Sequence, residues 1–176
     1  QGSGQTVTAK CGTCKGEGRQ MGEETIELDI PAGVEDGMQL SMSGKGNAGA
    51  RNGVPGDLII LIEETKHDSF ERDGMNLLHD AFVSFSDAAI GASIEVPTLT
   101  GKARIKITPG TQGGKVLRLK GKGLPSVNSY GHGDLLININ VWTPKNLSKE
   151  EKKILEKLGE SENFKPNPTA KDKNFF

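Results

Sequence analysis

Two cysteines, three histidines and two glycine-lysine-glycine turns are the residues whose types and spacing could do chemistry. Cys11-Gly12-Thr13-Cys14 sets two thiols a short turn apart, with Gly16 and Gly18 behind them. Two thiolates at that spacing can grip one Zn²⁺, and glycines let the backbone fold tightly around a metal. Structural zinc takes four ligands, however. No second cysteine pair exists, and His67, His79 and His132 show no ligand spacing. The pair therefore reads as half of a zinc site, with a thiol-redox site as the alternative. A thioredoxin-like site would lead from its second cysteine into a helix, which Gly16 and Gly18 oppose. Gly44-Lys45-Gly46 and Gly121-Lys122-Gly123 precede no expected helix, so they read as hairpin turns rather than phosphate loops. No Gly-x-Ser-x-Gly, Walker loop, metalloprotease histidine pair or dinucleotide fingerprint is present. The carboxylates are scattered, and an enzyme is not expected.

The elements that must position these residues come in two copies. Gly56-Asp57-Leu58-Ile59-Ile60-Leu61-Ile62 returns 77 residues later as Gly133-Asp134-Leu135-Leu136-Ile137-Asn138-Ile139. Between Ile30 and Ile62 twelve positions are identical in the two copies, with no gap. A period this long suits two small tandem domains rather than a solenoid. In the first copy, residues 25–30 alternate, with Ile26, Leu28 and Ile30 on one face, which predicts a half-buried strand. Met38, Leu40 and Met42 alternate again, and residues 58–62 are apolar on both faces. Residues 63–74 read as a polar bridge. The second copy opens with material the first lacks. A strand is expected over 76–85, with Leu77, Ala81, Val83 and Phe85 on one face. Next come a short helix over 87–90 capped by Ser86 and closed by Gly91, and a strand over 93–96. The simplest expectation is that the chain starts inside its first domain. The predicted class is mostly β: two small β-sandwich-like domains followed by a short C-terminal helix. That helix is announced by Ser148 and Glu151, which match a capping box, and Gly159 stops it. Its apolar stripe, Ile154, Leu155 and Leu158, needs a partner, either the second domain or another subunit. Phe164, Phe175 and Phe176 are the anchors of a polar tail.

Bulk properties narrow the class further. Apolar residues make up 34% and aromatics 5%, so each core is thin. Net charge is −1 without an evident basic stripe, which argues against nucleic acid. No apolar run is long enough to span a membrane. Two cysteines make no disulfide framework, and a cytoplasmic location is expected. Trp142 and Tyr130 stand alone in the sequence, so no aromatic platform for a carbohydrate is expected.

Cys11-x-x-Cys14-x-Gly16-x-Gly18 followed by Ile30-Pro31-Ala32-Gly33-Val34-x-x-Gly37 resembles the end of the cysteine-rich region and the first C-terminal domain of the DnaJ family of type I J-domain co-chaperones. Gly53-x-Pro55-Gly56-Asp57-Leu58, Phe70-x-Arg72-Asp73-Gly74-x-Asn76-Leu77 and Ala89-x-Gly91 fit the same family. So do Glu95-Val96-Pro97-Thr98-Leu99-x-Gly101 and Lys120-Gly121-Lys122-Gly123-Leu124-Pro125, and the likeness covers roughly residues 11–165. The resemblance implies a protein-folding and stress-response role. Non-native client polypeptides would be bound in an apolar groove and sheet edge, the C-terminus would form a homodimer, and clients would pass to a DnaK-type ATP-driven chaperone. It divides the chain into a remnant of the zinc region (1–19), an incomplete client-binding β-domain (20–66), a second β-domain (67–145) and a dimerisation helix and tail (146–176). The family's J domain carries His-Pro-Asp, whereas the nearest sequence here is His67-Asp68-Ser69, in the wrong place. Zinc is implied for the full-length family member, and with a single cysteine motif this chain is expected to hold none. By motif, Ile26 and Ile60 fall where the family's groove is lined. The repeat adds a second criterion: Ile60 is matched by Ile137, as plain core would be, whereas Ile26 is matched by Ala103 and Leu61 by Asn138. The client-binding candidates are thus Ile26, Ile60 and Leu61, each with core packing as the alternative.

Overall fold

The computed structural model describes residues 9–127 and 130–168 of the chain. Phe175 and Phe176 lie outside them. β1 (Gln39–Met42) turns Leu40 and Met42 inward and pairs antiparallel with β2 (Leu58–Leu61). Next come β3 (Glu71–Asp73), β4 (Asn76–Ser84), helix α1 (Phe85–Ile90), β5 (Ala92–Thr98), β6 (Gly101–Ile107), β7 (Lys115–Leu119), β8 (Leu135–Trp142) and helix α2 (Lys149–Gly159). The fold is mostly β, with several small sheets and a short C-terminal helix. β1 and β2 form one two-stranded sheet and β5 and β6 another, while the larger sheet runs β3-β4-β8-β7. Inside it β4 and β8 are parallel, with Leu77 opposite Leu135.

The core lies between the larger sheet and the β5–β6 pair. Leu77, Ala81 and Val83 of β4 and Leu135, Ile137 and Ile139 of β8 meet Val96 of β5 and Ile105 and Ile107 of β6. Leu135, Ile137 and Ile139 are completely buried, and each contributes roughly 1.5–3 kcal/mol by leaving water.

The two copies use one frame. Leu40 faces Ile60, and 77 residues later Leu117 faces Ile137; the other three pairs between β1 and β2 recur between β7 and β8 with the same offset. Gly37 N–H donates to the Ile62 carbonyl at 2.9 Å, and Gly114 N–H to that of Ile139 at 2.8 Å. Gly44 (φ 70°) and Gly121 (φ 65°) form the turn that follows the first strand of each copy.

A guanidinium ties the copies together. Arg72 of β3 donates from Nη1 to the Val34 carbonyl at 2.7 Å and from Nη2 to the Gly33 carbonyl at 2.9 Å. Its Nε reaches the Gly74 carbonyl at 2.9 Å, and the Glu64 and Glu35 carboxylates stand at 3.1 and 3.4 Å. Gly33 has φ 89°, and a Cβ there would lie 2.1 Å from the Pro125 carbonyl oxygen, so only glycine fits.

Several expectations are corrected. Residues 25–30 form no ladder, although Ile26 and Leu28 are half-buried and their neighbours exposed. The equivalent strand of the second copy, β6, is paired with β5. The segment 77 residues ahead of β5 is glycine-rich and forms turns instead, so residues 25–30 lack that partner. The α1 cap is Ser84, not Ser86: the Ser84 hydroxyl accepts the Asp87 N–H at 3.0 Å. Phe85 accordingly leaves the strand face and is 44% exposed as the first residue of α1. The supposed bridge at 71–73 is β3, an edge strand paired with β4.

Arg72→Ala should lower unfolding stability by about 2–3 kcal/mol, because several carbonyls lose a charged donor. Arg72→Lys should restore little of this, since one ammonium cannot span the fork. Urea unfolding followed by circular dichroism measures both; a loss under about 0.5 kcal/mol in the alanine variant would contradict the role of the clasp.

Candidate functional site

Among the described residues β1 and β2 pair only with each other, so each face of β2 has a clear address. Leu58 and Ile60 point inward with Leu40 and Met42, all half-buried. Ile59 and Leu61 point outward beside Ser41 and Gln39 and are 64% and 65% exposed. The structure thus separates two of the candidates. Ile60 lies on the inner face of β2 and Leu61 on the outer face. Ile26 is half-buried on the unladdered segment before β1. Ile59, which sequence comparison passed over because Leu136 matches it, joins Leu61 on the exposed face.

The second copy treats its equivalent face differently. Asn138 and Asn140 of β8 both donate side-chain N–H groups to Asp80 Oδ1 of β4, at 2.8 and 3.0 Å. β4 covers the edge of β8 that the β1–β2 pair leaves uncovered on β2. The first copy therefore presents an apolar outer face and, among the described residues, an edge with no strand against it, which is what extended polypeptide needs for strand addition.

Register is held by a carboxylate. Asp57 Oδ1 accepts the Gly44 N–H and the Ser43 hydroxyl, each at 2.9 Å. These bonds, the Gly44 one first, hold the Asp57 carboxyl below the usual carboxylate range. Asp134 Oδ1 accepts the Gly121 N–H at 2.7 Å in the same way. The contribution of Asp57 is present above its ordinary titration range and is lost as pH falls through the lowered value.

The cysteine segment is anchored by backbone. Arg51 N–H donates to the Glu17 carbonyl at 3.0 Å, and Arg19 Nη1 to the Ala48 carbonyl at 3.2 Å. The Cys11 thiol is lowered to about 7, first by the backbone N–H of Cys14 and then by that of Thr13. Both thiols are free. Among the described residues no group of three or more His, Cys, Asp or Glu comes together. Two of the three histidines hold other bonds: His67 Nδ1 accepts the Ser69 N–H at 3.0 Å, and His79 Nδ1 lies 2.7 Å from the Ser69 carbonyl.

At the C-terminus, Ser148 and Glu151 form the expected capping box of α2. The Ser148 backbone N–H, and after it the hydroxyl, keeps the Glu151 carboxyl below its usual value. Ile154, Leu155 and Leu158 are 60%, 38% and 38% exposed, and no residue of α2 is buried. A 3-10 turn at Glu162–Phe164 places the Phe164 ring 6.1 Å from that of Phe85, so the segment that follows the helix is held to the second copy while the stripe of α2 stays exposed. Trp142 proves not to stand alone: it meets Phe82 edge-on at 6.1 Å, with Lys145 Nζ 5.3 Å above the indole. Only the parallel pairing of β4 with β8 brings them together, and no local sequence signal announces it. No helix among the described residues is long and apolar enough to cross a membrane.

Residues 3–144 match the family model of the DnaJ C terminal domain. The chain is 59% identical over 166 residues to the chaperone protein DnaJ of Bacteroides fragilis (strain YCH46), an alignment covering 94% of this chain and 42% of that protein. It is 56% identical to the corresponding protein of Bacteroides thetaiotaomicron, with the same coverage, and 46% identical to that of Salinibacter ruber, covering 94% of this chain and 43% of the relative. The chain thus spans less than half the length of these relatives. Its strand frame, its paired turns and these matches agree: the chain belongs to the DnaJ C-terminal domain family.

Proposed function

We propose that this chain is a polypeptide-binding unit of a DnaJ-type co-chaperone. Non-native polypeptide lies along the outer face and open edge of β2, against Leu61 and Ile59, while the half-buried Ile60 and Ile26 line the floor beside it. Two such units join as a homodimer through Ile154, Leu155 and Leu158 of α2, and the full-length protein passes its clients to a DnaK-type chaperone. The observation that carries the reading is the difference between equivalent strands. Ile59 and Leu61 are bare on β2, whereas β8 has Asn138 tied to Asp80 and its edge filled by β4. Exposed branched apolar side chains beside an unpaired edge are a hazard in a protein with no partner for them. They are a working surface in one that holds other chains. No catalytic step enters this reading.

The chain should suppress aggregation of a chemically unfolded protein without ATP. Leu61→Asp should lose most of that activity, and Ile90→Asp, at an exposed apolar site on α1, should keep it. Equal suppression by Leu61→Asp, or none by the parent, would contradict the reading. Leu158→Glu should convert dimers to monomers in sedimentation velocity runs; a parent already monomeric at tens of micromolar would remove the dimer from the account.

A further inference from the structure

The repeat hides a reversal of charge. Residues 20–66 carry nine carboxylates against three Lys and Arg side chains, a formal charge of −6. Their gap-free equivalents, 97–143, carry seven Lys and Arg against one carboxylate, a charge of +6. The chain-wide value of −1 conceals both. The reversal is sharpest along β6. Lys102, Arg104 and Lys106 are exposed on its outward face and alternate with half-buried Ala103 and buried Ile105 and Ile107. The residues 77 positions earlier are Thr25, Glu27 and Asp29. Arg104 meets Glu95 of β5 at 3.1 Å with its side chain 73% exposed; neither Lys102 nor Lys106 has a carboxylate partner among the described residues. Among the described residues β6 is hydrogen-bonded to β5 alone, so no described strand lies against its second edge.

We propose that this edge of β6 and its basic row form a second docking site, selective for an extended acidic peptide. Alternate residues of a strand recur about every 6.6–6.8 Å on one face. Carboxylates at positions i, i+2 and i+4 of an added strand would therefore face Lys102, Arg104 and Lys106 as cross-strand pairs, about 4.5–5.5 Å apart at Cβ. Main-chain hydrogen bonds hold such a strand and the charge row chooses it. Lysines on an open edge also repel basic strands and discourage pairing with apolar ones, so the same residues that guard the edge set its selectivity. The outward face of β5 and β6 carries no aromatic side chain on which bases could stack, which favours a peptide over nucleic acid. The inference rests on the reading of this chain as a polypeptide binder but uses a different strand from β2.

The test is fluorescence anisotropy with three labelled probes: a peptide alternating Glu with Val, its Lys counterpart, and a single-stranded DNA oligonucleotide. Each is titrated with the parent, with Lys102→Glu/Lys106→Glu and with Leu61→Asp, at low and high salt. The Glu peptide should bind the parent and Leu61→Asp alike, bind the double variant at least tenfold more weakly, and weaken as salt rises. Both substituted lysines are exposed, and an unchanged circular dichroism spectrum would show that the double variant is folded. Binding of the Lys peptide as tight as the Glu peptide, unaltered binding by the double variant, or equal binding of the oligonucleotide would overturn the proposal. If the parent suppresses aggregation yet does not bind the Glu peptide, this inference falls while the β2 reading stands.

Discussion

Asp57 sits where β2 begins, and its carboxylate closes the Gly44 turn through a backbone N–H and a serine hydroxyl. That contact fixes which residue of β1 faces which residue of β2. In a strand pair a slip of one residue exchanges the two faces entirely. Leu58 and Ile60 would then turn outward, and Ile59 and Leu61 would be drawn in. The exposed apolar face of β2 depends on that register. Asp134 performs the same task for β7 and β8, and there it also anchors the sheet to β4, since its own N–H donates to Asn76 Oδ1 at 2.9 Å. The repeated aspartate is thus structural in both copies, which is why its recurrence at a loop-to-strand junction does not point to catalysis.

With the frame held constant, function is written in what differs. The second copy adds β4 along β8, buries its apolar residues against β5 and β6, and ties the outer asparagines to Asp80. The first copy keeps the strand pair, exposes Ile59 and Leu61, and has no described strand along the second edge of β2. Charge diverges as well, from acidic along residues 25–29 to basic along β6. Arg72 then matters because it holds these unlike halves in a defined relation, gripping the carbonyls of Gly33 and Val34 from the edge strand β3. A guanidinium suits this place: its planar fork reaches several carbonyls at once, and the glycine opposite leaves room for the Pro125 backbone.

Much of this was legible in the residues. Alternation located β1 and β4; the capping box located α2; and the 77-residue offset anticipated that Leu58 to Ile62 and Leu135 to Ile139 would occupy like positions. What was not legible depended on distant neighbours. Residues 25–30 alternate as a strand should, but a strand needs a ladder partner, and the glycine-rich cysteine segment does not provide one. Ser84 and Ser86 are equally good caps on paper; the end of β4 decides between them. Trp142 appeared solitary until the parallel pairing of β4 with β8 carried Phe82 to it. At the candidate site, comparing the copies singled out Leu61, an apolar residue without an apolar counterpart, and the structure leaves it exposed. That comparison passed over Ile59, whose counterpart Leu136 is apolar but half-buried. The basic row of β6 escaped notice because an acidic half cancels it in the total.

The central claim is that like positions in one frame have unlike roles. A photoreactive phenylalanine analogue placed at position 61, or separately at position 138, tests it directly, with an unfolded polypeptide as the capture target. If the account holds, cross-linked polypeptide forms from the Leu61 position and is scarce from the Asn138 position, while both proteins keep the parent's circular dichroism spectrum. Equal yields from the two positions, or a greater yield from 138, would show that the exposed face of β2 is not where polypeptide is held.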